Sequence, residues 1–443
     1  MSLTSARARD LLTVWTIVLL VSGQGFRYLL GLPGFTVLVI VTVVALAWVF
    51  RPSLGSLKPP FLIGMFIALA AATFLWSGTR GITALAVLAL VGTTFVAMVT
   101  VRGHAGDRFM VLMYKGLQWS VFIGLGFELI VSTLIRHPIH PLVNDVARIA
   151  AESGQEKLVW WSENLLFAGG PIQGFVGNRN PFAAIALLAA IVAFVMILER
   201  RVRVIDAVVT LGLSLVVLAL TRSATITVAL LFVIVLSLSA AWIRRAPERY
   251  KRVISFSTLA LTAIAGVLTI KYRDLIFDLL DRSPDATHRA DIWVEVANYA
   301  QQRPEGWGYV GYWPIWEQPY KSIVESTGVV VGHAHNAYLD AWLQMGLIGA
   351  VLFVVIMVLL FGGTWRLVER ASRGDTFLPL AWALLAAALA IQGLTESRPL
   401  VEGGWYLIVV LFCLGPQLFT LTYVDEDLVK FGVRRARERQ GSD

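Results

Sequence analysis

The chain has 443 residues, of which 57% are hydrophobic and 15% charged, with a formal net charge of +8. An average soluble domain carries nearer ~25% charged residues, so this composition and a mean hydropathy of +0.72 exclude a string of ordinary soluble domains. Apolar segments recur along the whole chain at the roughly 20-residue lengths that cross ~30 Å of hydrocarbon, which predicts an all-α, polytopic helical membrane protein.

About twelve transmembrane spans are expected, near 11–31, 35–50, 60–77, 81–101, 111–135, 180–198, 204–221, 223–243, 253–270, 336–362, 377–395 and 404–423. The first is too long and too poorly cleavable for a signal peptide and reads as a retained span. The break at Gly31-Leu32-Pro33-Gly34 predicts a tight helical hairpin with the second span. Basic residues cluster in alternate short connections: Arg200, Arg201 and Arg203; Arg244, Arg245, Arg249, Lys251 and Arg252; Arg366, Arg370 and Arg373. The positive-inside rule then predicts that both termini lie on the cytoplasmic side of a multi-pass membrane protein. The net charge is this topological signal, so no nucleic-acid partner is expected. Cys413 is the single cysteine; it permits no internal disulfide and reads as packing. The chain divides into an N-terminal bundle with the first outer loop (1–179) and a second membrane region (180–443) that includes the outer loop 271–335.

That orientation leaves two long extramembrane segments, about 136–179 and 271–335, both outward; loops of this length in a compact architecture are usually functional. In the second, Pro284 and Asp285 offer a helix start and Pro304-Glu305-Gly306 a stop. Between them Ile292, Val296 and Tyr299 recur at helical spacing, which predicts an amphipathic helix on the membrane surface with Arg289 at its N-terminal end. The following GWGYVGYWPIW reads as a flexible aromatic segment suited to lining a groove for sugars.

Three arginines fall at outer ends of spans: Arg179, just before Pro181; Arg222, in an almost lengthless turn; and Arg289. A lone interfacial arginine is more often a snorkelling anchor. Three on one leaflet offer planar forks that match phosphate oxygens bidentately, and so fit a diphosphate whose lipid stays in the bilayer. His333 and His335 precede the span at 336. A neutral imidazole at a dry site is a natural general base, and Asn336 with the first free amides of that span adds hydrogen-bond donors. No carboxylate or cysteine cluster of recognisable spacing accompanies the histidines, so no metal is expected. Asp425-Glu426-Asp427 reads as a solvated charge run. Glu396, in GLTESRPL, is a carboxylate placed to orient a base or pair with an arginine.

His335-Asn336 followed by Gly346-Leu347-Ile348-Gly349, Thr221-Arg222-Ser223 at the outer start of a span, and Arg289, Trp293, Pro304 and Gly306-Trp307-Gly308 in the large loop together resemble the O-antigen ligase superfamily. That superfamily also holds O-antigen polymerases and protein O-oligosaccharyltransferases. Gln344 departs from the pattern, which often has Glu before the Gly-x-x-Gly. The resemblance implies an inverting, metal-independent glycosyl transfer without cofactors. The donor would be an oligo- or polysaccharide on undecaprenyl diphosphate, and the acceptor a hydroxyl of a cell-envelope glycolipid, glycan or protein. It further implies that Arg222 and Arg289, with Arg179 beside them, hold the diphosphate. His335 would be the base, supported by His333, Asn336 and Glu396. A polysaccharide polymerase is the alternative within the family. A lipid or polysaccharide transporter is the alternative outside it, and predicts ionisable residues near mid-bilayer; Glu128, late in its span, comes nearest to that.

Overall fold

The computed structural model of the protein describes residues 3–143, 160–271 and 289–415. Pro284, Asp285, the acidic triplet and the end of the last predicted span lie outside them. The described residues form fourteen α-helices and no strand: α1 Leu3–Val21, α2 Gly23–Val49, α3 Phe61–Ala72, α4 Arg80–Arg102, α5 Gly106–Ile130, α6 Arg179–Glu199, α7 Val204–Thr221, α8 Ala224–Ile243, α9 Glu248–Lys271, α10 Arg289–Gln302, α11 Tyr320–Thr327, α12 Ala337–Arg370, α13 Leu378–Gly393 and α14 Glu402–Leu414. Within the described residues the predicted spans fall on helical segments, but not one to one: the first crosses the break between α1 and α2, and the second lies inside α2. Seven helices are long and apolar enough to cross a membrane, and the apolar helices Phe61–Leu75, Leu378–Gly393 and Glu402–Leu414 are shorter.

The first pair differs from expectation. The chain breaks at Ser22, and α2 kinks at Gly31 (φ 70°) and then continues through Pro33. Pro33 falls in the first turn after the kink, where its missing N–H forfeits little. Just after the break, the first long loop approaches closely: a Cβ on Gly25 would stand 2.2 Å from the Phe175 carbonyl oxygen.

At the centre lies α6, whose apolar window is 83% buried inside the protein, against 22% for α2. Its run of alanines lets neighbouring backbones approach closely, and it packs against α5, α7, α8 and α13. Glu128, the carboxylate that the sequence places nearest mid-bilayer, holds a loop. It is fully buried and accepts hydrogen bonds from Ser162 Oγ (2.8 Å), Gln173 N (2.9 Å) and Gly174 N (2.7 Å), which fasten the first long loop to α5.

The second long loop has an apolar core of its own. Ile292, Val296 and Ala300 of α10 are 0% exposed and pack with Val310, Trp313, Tyr320, Ile323 and Leu343. The amphipathic stripe of α10 therefore meets protein rather than lipid. The aromatic segment is largely anchored as well. Trp307 Nε1 donates to Tyr299 O, Tyr309 Oη to Leu400 O and Trp313 Nε1 to Asp340 Oδ1, while Trp316 stays exposed.

Gly306 and Gly346 of the motif are explained by one junction. α12 breaks at Gly346 (φ 70°, ψ −174°), and the loop docks into the break: Leu347 N donates to Pro304 O, Trp307 N to Leu343 O and Gly308 N to Gln344 O. A Cβ on Gly346 would lie 2.0 Å from the Pro304 oxygen, and one on Gly306 2.4 Å from the Gly346 nitrogen. Gln344 completes the junction, its Oε1 accepting from Val310 N and Gly311 N while its Nε2 donates to Asp340 Oδ1. A glutamate there would set a second acceptor against Asp340, so this chain's amide suits its buried neighbour. Gly346→Ala is expected to destabilise the protein by about 2 kcal/mol or more, through both the positive φ and the overlap. A thermal unfolding midpoint in detergent equal to that of the parent would contradict this account of the junction.

Candidate functional site

One end of the bundle gathers the N-terminus of α6, the α7–α8 turn, the start of α10, residues 328–336 ahead of α12, and the α13–α14 connection. Glu396, on that connection, is the hub. It is 5% exposed. Its Oε1 accepts from Arg289 Nη2 at 3.0 Å and from Asn180 Nδ2 at 3.0 Å. Its Oε2 faces His335 Nδ1 at 3.4 Å and His333 Nε2 at 3.8 Å. Burial pushes the Glu396 carboxyl up, but the combined field and hydrogen bonding of His335, His333 and Arg289 outweigh this and hold it below the usual carboxylate range. It is therefore an anion at neutral pH.

His335 is held from several sides. It adopts φ 50°, a left-handed conformation that is uncommon outside glycine and frequent at functional sites. Asn336 follows as the N-cap of α12, its side chain accepting from Tyr338 N (3.0 Å) and Leu339 N (3.1 Å). Its amide oxygen is thus committed to the helix start, so the Asn336 carbonyl serves as the cap of α12 rather than adding a donor to the site. Trp293 Nε1 donates to the Ala334 carbonyl at 3.0 Å. Arg289 and Trp293 stand one helical turn apart on one face of α10, which explains their spacing: one reaches Glu396 and the other steadies the backbone beside His335.

His333 packs edge-on against His335, with ring centroids 4.2 Å apart. Its Nδ1 accepts from His335 N at 3.1 Å, so in the neutral ring the proton sits on Nε2, towards Glu396. Burial first, and then the neighbouring His335, Arg398 and Arg289 charges, push its pKa down to about 3 against the pull of Glu396. His333 is a neutral spacer at physiological pH. Among the described residues, the other ring nitrogen facing Glu396 Oε2 is His335 Nδ1, so a proton there leaves His335 Nε2 with a free lone pair.

Arg222 occupies the α7–α8 turn at φ 48°, its side chain exposed. Its guanidinium lies against the first long loop, where a Cβ on Gly169 would stand 3.4 Å from Nη2. Ile172 N donates to Leu220 O at 3.1 Å, clasping that loop to the turn. The turn joins the hub through two hydrogen bonds, Ser223 Oγ to Asn180 Oδ1 (2.9 Å) and Asn180 Nδ2 to Glu396. Arg179 opens α6 with an exposed side chain, and it is the next residue, Asn180, that reaches the hub.

His333, His335 and Glu396 bring their ligating atoms within 4.8 Å of one another. Glu396, read from the sequence as a carboxylate that could orient a base, was not tied to the histidines by spacing, and the trio has the composition of a two-histidine, one-carboxylate metal set. Its hydrogen bonding is committed elsewhere: His333 keeps Nε2 protonated by accepting at Nδ1, and Arg289 and Asn180 occupy one Glu396 oxygen. Sequence reading also passed over Asn180 and Arg398. Arg398 is two residues after Glu396 and close enough to add to the positive field on His333. The signal for both was adjacency to residues already chosen.

Residues 207–354 match the family model described as O-antigen ligase. The chain is also 29% identical over 182 residues to an O-antigen ligase of Pseudomonas aeruginosa, an alignment that covers 40% of this chain and 40% of the relative. The matched stretch contains Arg222, Arg289, His333, His335 and Asn336; Asn180 and Glu396 lie outside the family model's bounds.

Proposed function

We propose that this chain, a member of the O-antigen ligase superfamily through residues 207–354, is a membrane glycosyltransferase. It moves an oligo- or polysaccharide from undecaprenyl diphosphate to an acceptor hydroxyl at the outer face of the bacterial cytoplasmic membrane. The observation that carries the reading is the His335–Glu396 pair, one ionised carboxylate facing one imidazole, set among arginines.

The chemistry is a single displacement. His335 Nε2 takes the proton of the acceptor hydroxyl as its oxygen attacks the anomeric carbon, while Glu396 holds the imidazole and offsets the charge it gains. The bond from the anomeric carbon to the diphosphate oxygen breaks from the opposite side, which inverts the configuration. The leaving diphosphate keeps the electron pair. Arg222 and the uncommitted donors of Arg289 offset its charge, with Arg179 at the rim. Guanidinium groups do here the electrostatic work that other phosphate sites assign to a metal ion. Nothing in the scheme requires a resident ion or cofactor.

Arg222→Lys keeps the charge and loses the fork. Purified protein with a lipid-linked glycan and a hydroxyl acceptor is expected to transfer at least ~10-fold more slowly when it carries this change. Undiminished transfer would reduce Arg222 to an interfacial anchor. Failure of the parent protein to release undecaprenyl diphosphate from any lipid-linked glycan would overturn the whole reading.

A further inference from the structure

Ser223 is the N-cap residue of α8, yet its side chain makes no cap hydrogen bond. A serine in that position ordinarily accepts from the free amides of its own helix. Here Oγ is 3% exposed and donates instead to Asn180 Oδ1 at 2.9 Å, while Asn180 Nδ2 donates to Glu396 Oε1 at 3.0 Å. The orientation is forced. An ionised carboxylate only accepts, so the Asn180 amide nitrogen must face Glu396, its oxygen must face Ser223, and the hydroxyl must donate. Asn180 is held in the first turn of α6, where its backbone N–H donates to the Asn178 cap at 3.0 Å.

We infer that Asn180 is a positioning residue for the transfer reaction: it fixes the Glu396 carboxylate so that Oε2 stays on His335, and it links that carboxylate to the Arg222 turn through Ser223. The inference rests on the proposed role of His335 as base. Without Asn180, the carboxylate is held on the Oε1 side by Arg289 alone and is free to turn both oxygens to the guanidinium, the preferred bidentate arrangement. His335 would then lose its anchor. The link also places the turn that carries Arg222 two hydrogen bonds from the carboxylate that holds the base. Phosphate binding and base alignment then share one rigid connection. Among the described residues, the charged and titratable groups around the carboxylate are Arg289 from α10, His333 and His335 from the segment before α12, and Arg398 on its own connection.

The test uses the full-length protein in detergent, with Asn180→Ala, Asn180→Asp and Ser223→Ala. Turnover is measured alongside peptide-resolved acylation of His335 by diethyl pyrocarbonate across pH, which reads the imidazole without requiring transfer. Asn180→Ala is expected to lower kcat about tenfold or more with the donor KM little changed. Ser223→Ala acts in the same direction and is not additive with it. Asn180→Asp adds an anion beside Glu396 and is expected to raise the His335 acylation midpoint by about one pH unit. If both Asn180 variants keep the parent's kcat and midpoint, the inference falls. It also falls if they lose only thermal stability while the folded fraction retains both values. If the parent does not transfer glycan, the base assignment fails, but the acylation midpoint still decides whether Asn180 governs the His335–Glu396 pair.

Discussion

Replacing His335 by alanine is expected to slow transfer by about 100- to 10,000-fold, the range over which a positioned general base contributes. Donor binding and thermal unfolding should stay close to those of the parent. The distinction follows from how the residue is held. Among the described residues, His335 makes no hydrogen bond through Nδ1 that fixes another element, and that nitrogen lies 3.4 Å from Glu396. Its backbone, by contrast, is set by the Asn336 cap and by Trp293 on Ala334. His335→Asn is the companion variant, since asparagine tolerates the left-handed backbone and also lacks the base. Both variants should bind lipid-linked donor and fail to consume it. Normal transfer by either would remove His335 from the mechanism. The pH dependence of the parent sharpens the test. His333 is pushed down to about 3 and Glu396 is held below the usual carboxylate range, so neither changes charge between roughly pH 5 and 8. Any acid limb of kcat/KM in that window should therefore follow one proton. A two-proton slope would mean that His333 titrates with its neighbour.

The parts of the molecule that hydropathy governs were legible from the sequence. The predicted apolar segments fall on helices from the third onward, as far as the described residues reach, because a bilayer forces backbone groups to pair within the segment and so ties apolar length to helix length; the first two are redrawn by the break at Ser22. His335 and Asn336 were legible for a local reason: a helix start and its cap lie within a few residues of each other. The hub was less so. Glu396 and Asn180 are 216 residues apart along the chain, and no periodicity records a hydrogen bond between two helix ends brought together by packing. The apolar stripe of α10 was seen, but its partner was misassigned. A stripe facing lipid and one facing Trp313 and Tyr320 have the same sequence pattern. The Gly-x-Gly at 306–308 belongs to the same lesson, since its two glycines exist for the break at Gly346 and for Ser77 rather than for the chemistry.

Glu396→Gln separates the charge of the hub from its shape. Glutamine is nearly isosteric, and its side-chain oxygen still accepts from Arg289 and Asn180. Complete removal of one partner from a buried ion pair costs about 3–5 kcal/mol; glutamine, which keeps hydrogen-bonding capacity, should cost less, and the variant should fold. Its amide nitrogen then faces the histidines in place of Oε2. A donor opposite His335 Nδ1 makes that nitrogen the acceptor and moves the ring proton to Nε2, the atom that must receive the acceptor's proton. The base is present but in the wrong tautomer. A comparable carboxylate-to-amide change in a histidine–carboxylate pair lowers kcat about 10,000-fold, and a loss of about 1,000-fold or more is expected here. Arg289 is simultaneously released from its anionic partner, so affinity for the diphosphate donor should hold or rise even as turnover collapses. Equilibrium binding of undecaprenyl diphosphate beside single-turnover transfer would measure both. Turnover within about tenfold of the parent would show that His335 does not take its orientation from Glu396; weakened donor binding would show that the Arg289–Glu396 pair holds the guanidinium in its binding position rather than competing for it.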